Sequence, residues 1–141
     1  MKLYHDFSHS EDFSLFYETS EKGNVEILFF NAKINIIPDE IINLEYLGWL
    51  SINNSSLSSN SLNLIGENLK NLEILEITNS SITYIPNSIC ELVKLEYIDF
   101  SNNNIVEIPK EFSNLINLET LILDNNEIEL FPSFLCNLKT L

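Results

Sequence analysis

Histidine and cysteine, which commonly bind metals or act in catalysis, occur only twice each in this chain. The only two histidines, His5 and His9, are spaced i, i+4. Three acidic residues lie close to them in the sequence: Asp6, Glu11 and Asp12. A set of this kind has the ligand types of a metal site. The same pattern is typical of an exposed polar helix face, and we predict no metal and no other cofactor.

The two cysteines, Cys90 and Cys136, each follow a proline by four residues. The repeat described below places them in one column two turns apart, with Cα atoms about 10 Å from each other. That distance is too long for a disulfide, so we expect reduced thiols in small, semi-buried spaces. No histidine lies in residues 24–141 to act as their base, and nucleophilic catalysis is therefore not supported.

Composition excludes several other classes of function. The three glycines are too few for a glycine-rich phosphate loop, and no hydrolase or zinc-protease motif is present, so we predict a non-enzyme. The net charge of −14, with seven lysines and no arginine, argues against binding nucleic acid or an anionic membrane. The acidity favours either solubility alone or a basic partner. Without an apolar run that could span a bilayer or a secretory signal, the chain is expected to be cytoplasmic.

A repeat of about 23 residues organises the chain from residue 24 onward. Four units have 23 residues and the second has 25. The units are 24–46, 47–71, 72–94, 95–117 and 118–140, and a sixth begins at Leu141. Such self-similarity predicts one supersecondary unit stacked on copies of itself, since no copy can bury its apolar face alone.

Each unit divides into three parts. The first alternates in polarity, as in Leu72-x-x-Leu75-x-Ile77, and predicts a short strand. A turn rich in Asn and Ser follows. The last part has the pattern Pro-x-x-apolar-x-x-Leu, which predicts a short helical segment that begins near the proline.

These patterns, L-x-x-L-x-L-x-x-N-x-L followed by x-x-[IL]-P-x-x-[ILF]-x-x-L, resemble leucine-rich repeats. The second half is similar to the intracellular Ras-group type. The resemblance covers residues 24–141 and implies an α/β fold: a right-handed solenoid with a concave parallel sheet and short helical or 3-10 segments on the convex side.

Two features depart from that pattern. The buried Asn of the repeat is present as Asn103 and Asn126, whereas Ala32, Ser55 and Ser80 replace it in the first three units. We expect a weaker hydrogen-bond ladder there. The second unit also lacks the proline, and its two extra residues predict an irregular convex bulge within 58–67, for which a functional role stays open.

Residues 1–23 lie outside the repeat and are predicted to form an N-terminal capping helix. Ser8 and Glu11 resemble a capping box, and Phe13, Phe16 and Tyr17 have helical spacing. Those aromatic residues either cover the core or form a separate docking surface. No cap follows the last unit, which allows either a longer protein or self-association through the uncapped C-terminal end.

The predicted concave face carries the candidate binding residues, because neighbours of inward strand residues point outward. Trp49, Ile74 and Tyr97 form an apolar column, and aromatic residues of this kind dominate interface hot spots. Glu76, Asp99 and Asp124 suit Lys or Arg of a partner. Stacking within the sheet and solubility are the alternative explanations. The full predicted set is Glu26, Leu28, Phe30, Trp49, Ile74, Glu76, Tyr97, Asp99, Ile122 and Asp124.

We therefore predict a non-catalytic module that recognises another protein, possessing a basic segment, through its concave face. The alternative is the N-terminal regulatory or sensor part of a larger enzyme. Resemblance to the Ras group implies a GTPase, cyclase, kinase or ubiquitin ligase as the attached domain.

Overall fold

The computed structural model describes residues 13–130 and 132–141, and a single six-stranded sheet with its strands in chain order dominates it. The strands are β1 (Phe13–Thr19), β2 (Val25–Ala32), β3 (Trp49–Asn53), β4 (Ile74–Thr78), β5 (Tyr97–Asp99) and β6 (Thr120–Ile122). Strands β2 to β6 are parallel, and β1 runs antiparallel to β2. This is the parallel sheet of stacked repeats that the sequence predicts.

Alternate strand residues enter a continuous core, as the period of two requires. Leu50 and Ile52 of β3 are fully buried, whereas the residues between and beside them are half-buried. Their counterparts in β4, Leu75 and Ile77, are buried in the same way. From each of β2 to β6 the chain leads away through a short helical segment on the opposite side of the core, here called a return segment. Apolar residues of the return segments, such as Phe112, close the core from that side.

The turns after β3 to β6 reverse the chain through asparagines with left-handed backbone geometry. Asn54, Asn79, Asn102 and Asn125 have φ angles between 50° and 57°. Asn adopts this region more readily than other non-glycine residues because its short polar side chain bonds locally. The asparagines of these turns therefore suit the backbone geometry, which Ser81 also adopts with a φ angle of 53°.

The buried Asn103 ties two adjacent turns together. Its amide oxygen accepts hydrogen bonds from the backbone N–H groups of Ser80 and Ile82 at 3.0 and 3.2 Å. Its amide nitrogen donates to the carbonyls of Ile77 and Phe100 at 2.7 and 2.9 Å. Asn126 makes an equivalent set one unit later.

Serines at the same position make fewer bonds. The Ser55 hydroxyl donates to the carbonyl of Ala32 at 2.7 Å and more weakly to that of Asn53 at 3.5 Å. Ser80 donates to Thr78 and accepts from the Ser55 backbone N–H. The expectation of a weaker ladder at the N-terminal end is confirmed.

Four of the return segments are five-residue 3-10 helices, each preceded by a proline. They are Asp39–Asn43, Asn87–Glu91, Lys110–Asn114 and Ser133–Asn137. The second unit lacks the proline and instead forms the α-helix α1, Ser59–Asn68, whose first turn Ser58 caps by accepting from the Ser61 N–H. The prediction of an irregular bulge is therefore wrong: the two extra residues permit a regular ten-residue helix.

Helix α1 lies directly against the next return segment. A Cβ atom placed on Gly66 would come within 2.4 Å of the Ser88 carbonyl carbon and 2.6 Å of the Ile89 nitrogen. Such distances are far below contact between non-bonded atoms. Glycine is thus required at this position for the close approach of two backbones.

The predicted capping helix is wrong for residues 13–19, which form strand β1. Leu15 and Tyr17 pack against the core, whereas Phe16 pairs with Phe29 in the neighbouring strand. The aromatic spacing that suggested a helix fits a strand with apolar residues on both faces. His5, His9 and the candidate capping box at Ser8 and Glu11 lie outside the described residues.

The two cysteines are both free but differ in environment. Cys90 is fully buried, and this burial, with the negative charge of Glu111 as a smaller cause, raises the pKa of its thiol to about 12. Cys136 is exposed, contrary to the expectation of two semi-buried thiols. In the described part of the chain no later return segment follows to cover Cys136, whereas segment Lys110–Asn114 follows Cys90.

Candidate functional site

The face of the sheet opposite the core is the one predicted from the sequence to be concave, and it is here called the outer sheet face. It carries most of the predicted binding residues. Strand pairing places Trp49 beside Ile74 and Ile74 beside Tyr97. All three side chains are half-buried. The apolar column predicted from the repeat is therefore present as a continuous strip across three strands.

The first unit has a different register from the predicted one, and Glu26, Leu28 and Phe30 do not share a face with Trp49. Strand pairing sets Ile27 opposite Trp49 and Leu28 opposite the buried Leu50. Leu28 is 7% exposed and belongs to the core, and Phe30 packs against that core. Glu26 is exposed at the start of β2.

A missing turn residue explains this error. In the third unit the proline follows the first buried strand residue, Leu75, by 11 positions, and in the first unit Pro38 follows Leu28 by 10. Asn31 pairs with Asn53, but the residue after it is the buried Ala32 instead of a left-handed Asn. Aligning the units on their prolines therefore moves the first strand by one residue, which exchanges its two faces.

An aromatic row that the sequence analysis missed extends the strip toward the N-terminus. The rings of Phe16 and Phe29 lie 5.6 Å apart at their centroids, and those of Phe29 and Trp49 lie 5.0 Å apart in an edge-to-face arrangement. Such pairs are each worth about 0.5–1.5 kcal/mol beyond their burial. A register taken from strand pairing would have identified Phe29 and Ile27 as outer residues.

Acidic residues continue the outer sheet face toward the C-terminus, and two of them already have partners within the sheet. Glu76 accepts a hydrogen bond from the Trp49 indole nitrogen at 3.1 Å. Asp99 accepts one from the Ser101 backbone N–H at 2.8 Å. Burial, followed by the charges of Asp99 and Glu76, raises the pKa of the Tyr97 phenol. Each carboxylate retains lone pairs for a further donor.

The last two predicted residues lie at the C-terminal end of the sheet. Ile122 pairs with Asp99 and is half-buried. Asp124 is exposed and follows β6, where its carbonyl accepts from the Asn102 N–H at 2.8 Å. Together with Glu76 and Asp99, it makes this part of the outer sheet face acidic.

A pocket of about 580 Å³ opens at the start of strands β2 to β4, beside the apolar strip. Ile27, Trp49 and Ile74 form its side toward the sheet. The remaining lining residues are Glu26, at the start of β2, and five residues of the segments that lead into β3 to β5: Tyr46, Gly48, Asn71, Glu73 and Lys94. Gly48 contributes no side chain, which leaves the pocket open.

Groupings of residues that indicate metal binding or a membrane-spanning helix are absent from the described part of the chain. Over residues 13–130 and 132–141, no three His, Cys, Asp or Glu side chains are close enough together to hold a metal ion. In the same residues none of the helices combines the length and the apolar character needed to cross a membrane. The outer sheet face carries aromatic, aliphatic and carboxylate side chains together with the hydroxyl groups of Ser51, Thr78 and Thr120.

The family model for leucine rich repeat matches residues 70–128. The chain contains leucine-rich repeats. No curated protein matches it by sequence. The repeats match the described architecture, in which strands of a parallel sheet alternate with 3-10 segments; the intracellular Ras-group subtype stays a prediction.

Solved structures of leucine-rich-repeat proteins share this fold. Internalin C2 from Listeria monocytogenes is 24% identical, with a TM-score of 0.65 over 74% of this chain and 44% of that one. A second Listeria monocytogenes internalin is 27% identical, with a TM-score of 0.67 over 78% and 31%.

A plant receptor gives a similar match. The repeat ectodomain of the membrane receptor kinase GASSHO1/SCHENGEN3 from Arabidopsis thaliana, solved in complex with CASPARIAN STRIP INTEGRITY FACTOR 2, is 26% identical. Its TM-score is 0.68 over 78% of this chain and 13% of that one. The chain thus spans less than half the length of each of these three proteins.

Proposed function

We propose that this repeat domain recognises another protein through its outer sheet face, without catalysing a reaction. The observation that carries the proposal is the row Phe16–Phe29–Trp49, which continues through Ile74 to Tyr97. Aromatic side chains with large rigid surfaces supply much of the binding energy in protein interfaces. Four aromatic residues and Ile74, on adjacent strands, offer one continuous apolar contact area.

Charge supports a basic partner for this face. None of the outer residues in the described strands is basic, and Glu76, Asp99 and Asp124 lie beside the apolar strip. The whole chain carries −14, so a positively charged partner would be attracted over long range. Acidic residues at the edge of an apolar strip are expected to govern the association rate and the choice of partner.

The comparisons support a role in protein binding, without specifying the partner or the surface. The GASSHO1/SCHENGEN3 ectodomain was solved with a bound factor, and its repeats cover most of this chain at 26% identity. Regulation of an attached enzyme, self-association and cytoplasmic location stay predictions.

Binding partners selected from a displayed random-peptide library would test the proposal. The Trp49→Ala/Tyr97→Ala variant removes two members of the strip, and we expect it to lose the binders that the wild type selects. The matched control is Ile36→Ser/Val106→Ser, which removes apolar side chains that are 69% and 54% exposed and lie outside the strands. Equal loss in both variants, or retention in the first, would contradict binding at the outer sheet face.

A further inference from the structure

The pocket at the start of β2 to β4 exists because one repeat lacks a side chain that the others have. Gly48 occupies the second position of its unit, and the same position is Glu73, Glu96 and Glu119 in the next three units. A glutamate at position 48 would project into the space bordered by Glu26, Trp49 and Glu73. The opening is therefore a local departure from the repeat.

The backbone of Gly48 does not itself require glycine. Its carbonyl accepts from the N–H groups of Glu73 and Ile74 at 2.8 and 2.9 Å, and Glu73 accepts from the next unit in the same way. A Cβ atom on Gly48 would meet only the Glu26 carbonyl oxygen, at 3.8 Å. This is ordinary van der Waals contact, so position 48 can accommodate other side chains.

The walls of the pocket combine two chemistries. Trp49, Tyr46 and Ile27 supply aromatic and aliphatic surface, and Tyr46 is 59% exposed. Glu26 and Glu73 supply carboxylates on two sides of Gly48. The aliphatic stem of a lysine or arginine packs on apolar surface while its charged end pairs with carboxylates and aromatic faces.

We propose that this pocket receives a lysine or arginine side chain of the partner polypeptide. The inference rests on the proposed function and specifies one contact of it. One cation, Lys94, also lines the pocket, and its Nζ donates to the Asn71 amide oxygen at 2.7 Å. The acidic end of the pocket, at Glu26 and Glu73, is therefore where the incoming charge lies.

Trp49 makes the proposal directly measurable, because it is the only tryptophan of the chain and it lines the pocket. The probes are the capped tripeptides Ac-Gly-Lys-Gly-NH2 and Ac-Gly-Arg-Gly-NH2, compared with versions that carry glutamine or norleucine at the centre. The readouts are Trp49 fluorescence and its single indole N–H resonance. We expect a saturable change with both cationic probes, and affinities for the neutral probes that are weaker by about tenfold or more.

Substitutions at position 48 provide the matched pair. Gly48→Gln fills the pocket with a neutral side chain of the same length as the glutamate of the other repeats, and we expect it to weaken the cationic probes by about tenfold or more. Gly48→Ala adds one methyl group and is expected to retain binding. Glu73→Gln keeps the shape of the side chain but removes its charge, and it should weaken the cationic probes selectively. Equal urea midpoints would show that all three variants remain folded.

Three results would overturn the inference: no saturable response to the cationic probes, an equal response to the neutral probes, or unchanged binding in Gly48→Gln. If selected peptides still depended on Trp49 and Tyr97, the proposed function would stand without this pocket. If the cationic probes bound but no selected partner depended on the apolar strip, the broader proposal would fail instead.

Discussion

The two halves of the solenoid differ in how they are held together and in what they present. The N-terminal half, residues 13–94, has Ala32, Ser55 and Ser80 at the buried turn position, together with the aromatic row and helix α1. The C-terminal half, residues 95–141, has Asn103 and Asn126 at that position and an acidic outer sheet face.

The most regular units and the units that carry the aromatic row are therefore different parts of the chain. The units that follow the repeat most closely gain their stability from asparagine ladders that span adjacent turns. The units that depart from it carry the aromatic row and the pocket at Gly48. The proposed contact residues Phe16, Phe29 and Trp49 thus lie where the repeat is least exact, as expected when the fold supplies only a scaffold.

The largest expected effect comes from the C-terminal ladder. Asn103→Ala leaves two backbone N–H groups and at least two buried carbonyls without this partner, and we expect a loss of about 4 kcal/mol in the free energy of unfolding. Ser55→Ala should cost only about 1 kcal/mol. Urea denaturation of both variants measures the contrast, with the exposed Asn104→Ala as control. Equal losses would remove the distinction between the halves.

The close contact of α1 tests what stabilises the N-terminal half. Gly66→Ala places a methyl group against the Ser88 backbone, and we expect a loss of about 3 kcal/mol. Gly48→Ala, with no close neighbour, should change stability by less than about 0.5 kcal/mol. Both variants replace glycine by alanine, so the difference between their thermal unfolding midpoints reports the contact at position 66 alone. A mild effect of Gly66→Ala would show that α1 separates easily from the next segment.

Alkaline pH tests the packing where the halves meet. The folded state raises the Cys90 pKa to about 12 from an ordinary value of 9.0, so this thiol favours folding below pH 9 and its contribution is lost as pH rises toward 12. Between pH 8 and 10.5 we expect the wild type to lose about 2 kcal/mol more than Cys90→Ala. Urea titrations at both pH values give the difference. An identical pH dependence in the two proteins would mean that Cys90 is more accessible than the structure shows.

The smallest expected effect concerns the hydrogen bond from Trp49 to Glu76, which joins the aromatic row to the acidic residues. Glu76→Gln retains an acceptor for the Trp49 indole but removes the charge, so the loss of stability should stay below about 0.5 kcal/mol. The same change should lower the Tyr97 pKa, because Glu76 is one of the charges that raise it. A spectrophotometric titration of wild type and variant, with Asp124→Asn as control, measures that shift. A higher Tyr97 pKa in Glu76→Gln would contradict the geometry.

The repeat itself made most of the fold predictable from sequence. Apolar alternation located the strands from β3 onward, and the prolines located the 3-10 segments. The Trp49, Ile74 and Tyr97 column followed from the same period.

The errors arose where the chain departs from that period. One turn residue fewer in the first unit exchanged the faces of β2, so that Leu28 and Phe30 were predicted on the binding face, where Ile27 and Phe29 lie instead. Helical spacing of the aromatic residues hid strand β1, because Phe16 and Tyr17 lie on opposite faces of the strand and interrupt its alternation of polar and apolar residues. The pocket could not be predicted, since it depends on how side chains from three segments meet around Gly48.

The strand order has a mechanical consequence. Because the sheet follows chain order, each unit is attached to the rest only through its immediate neighbours. A force applied between the two ends would therefore peel units away one after another, instead of shearing the whole sheet at once. Each unit of 23 residues would lengthen the chain by about 75 Å, so the domain would yield as a series of small extensions.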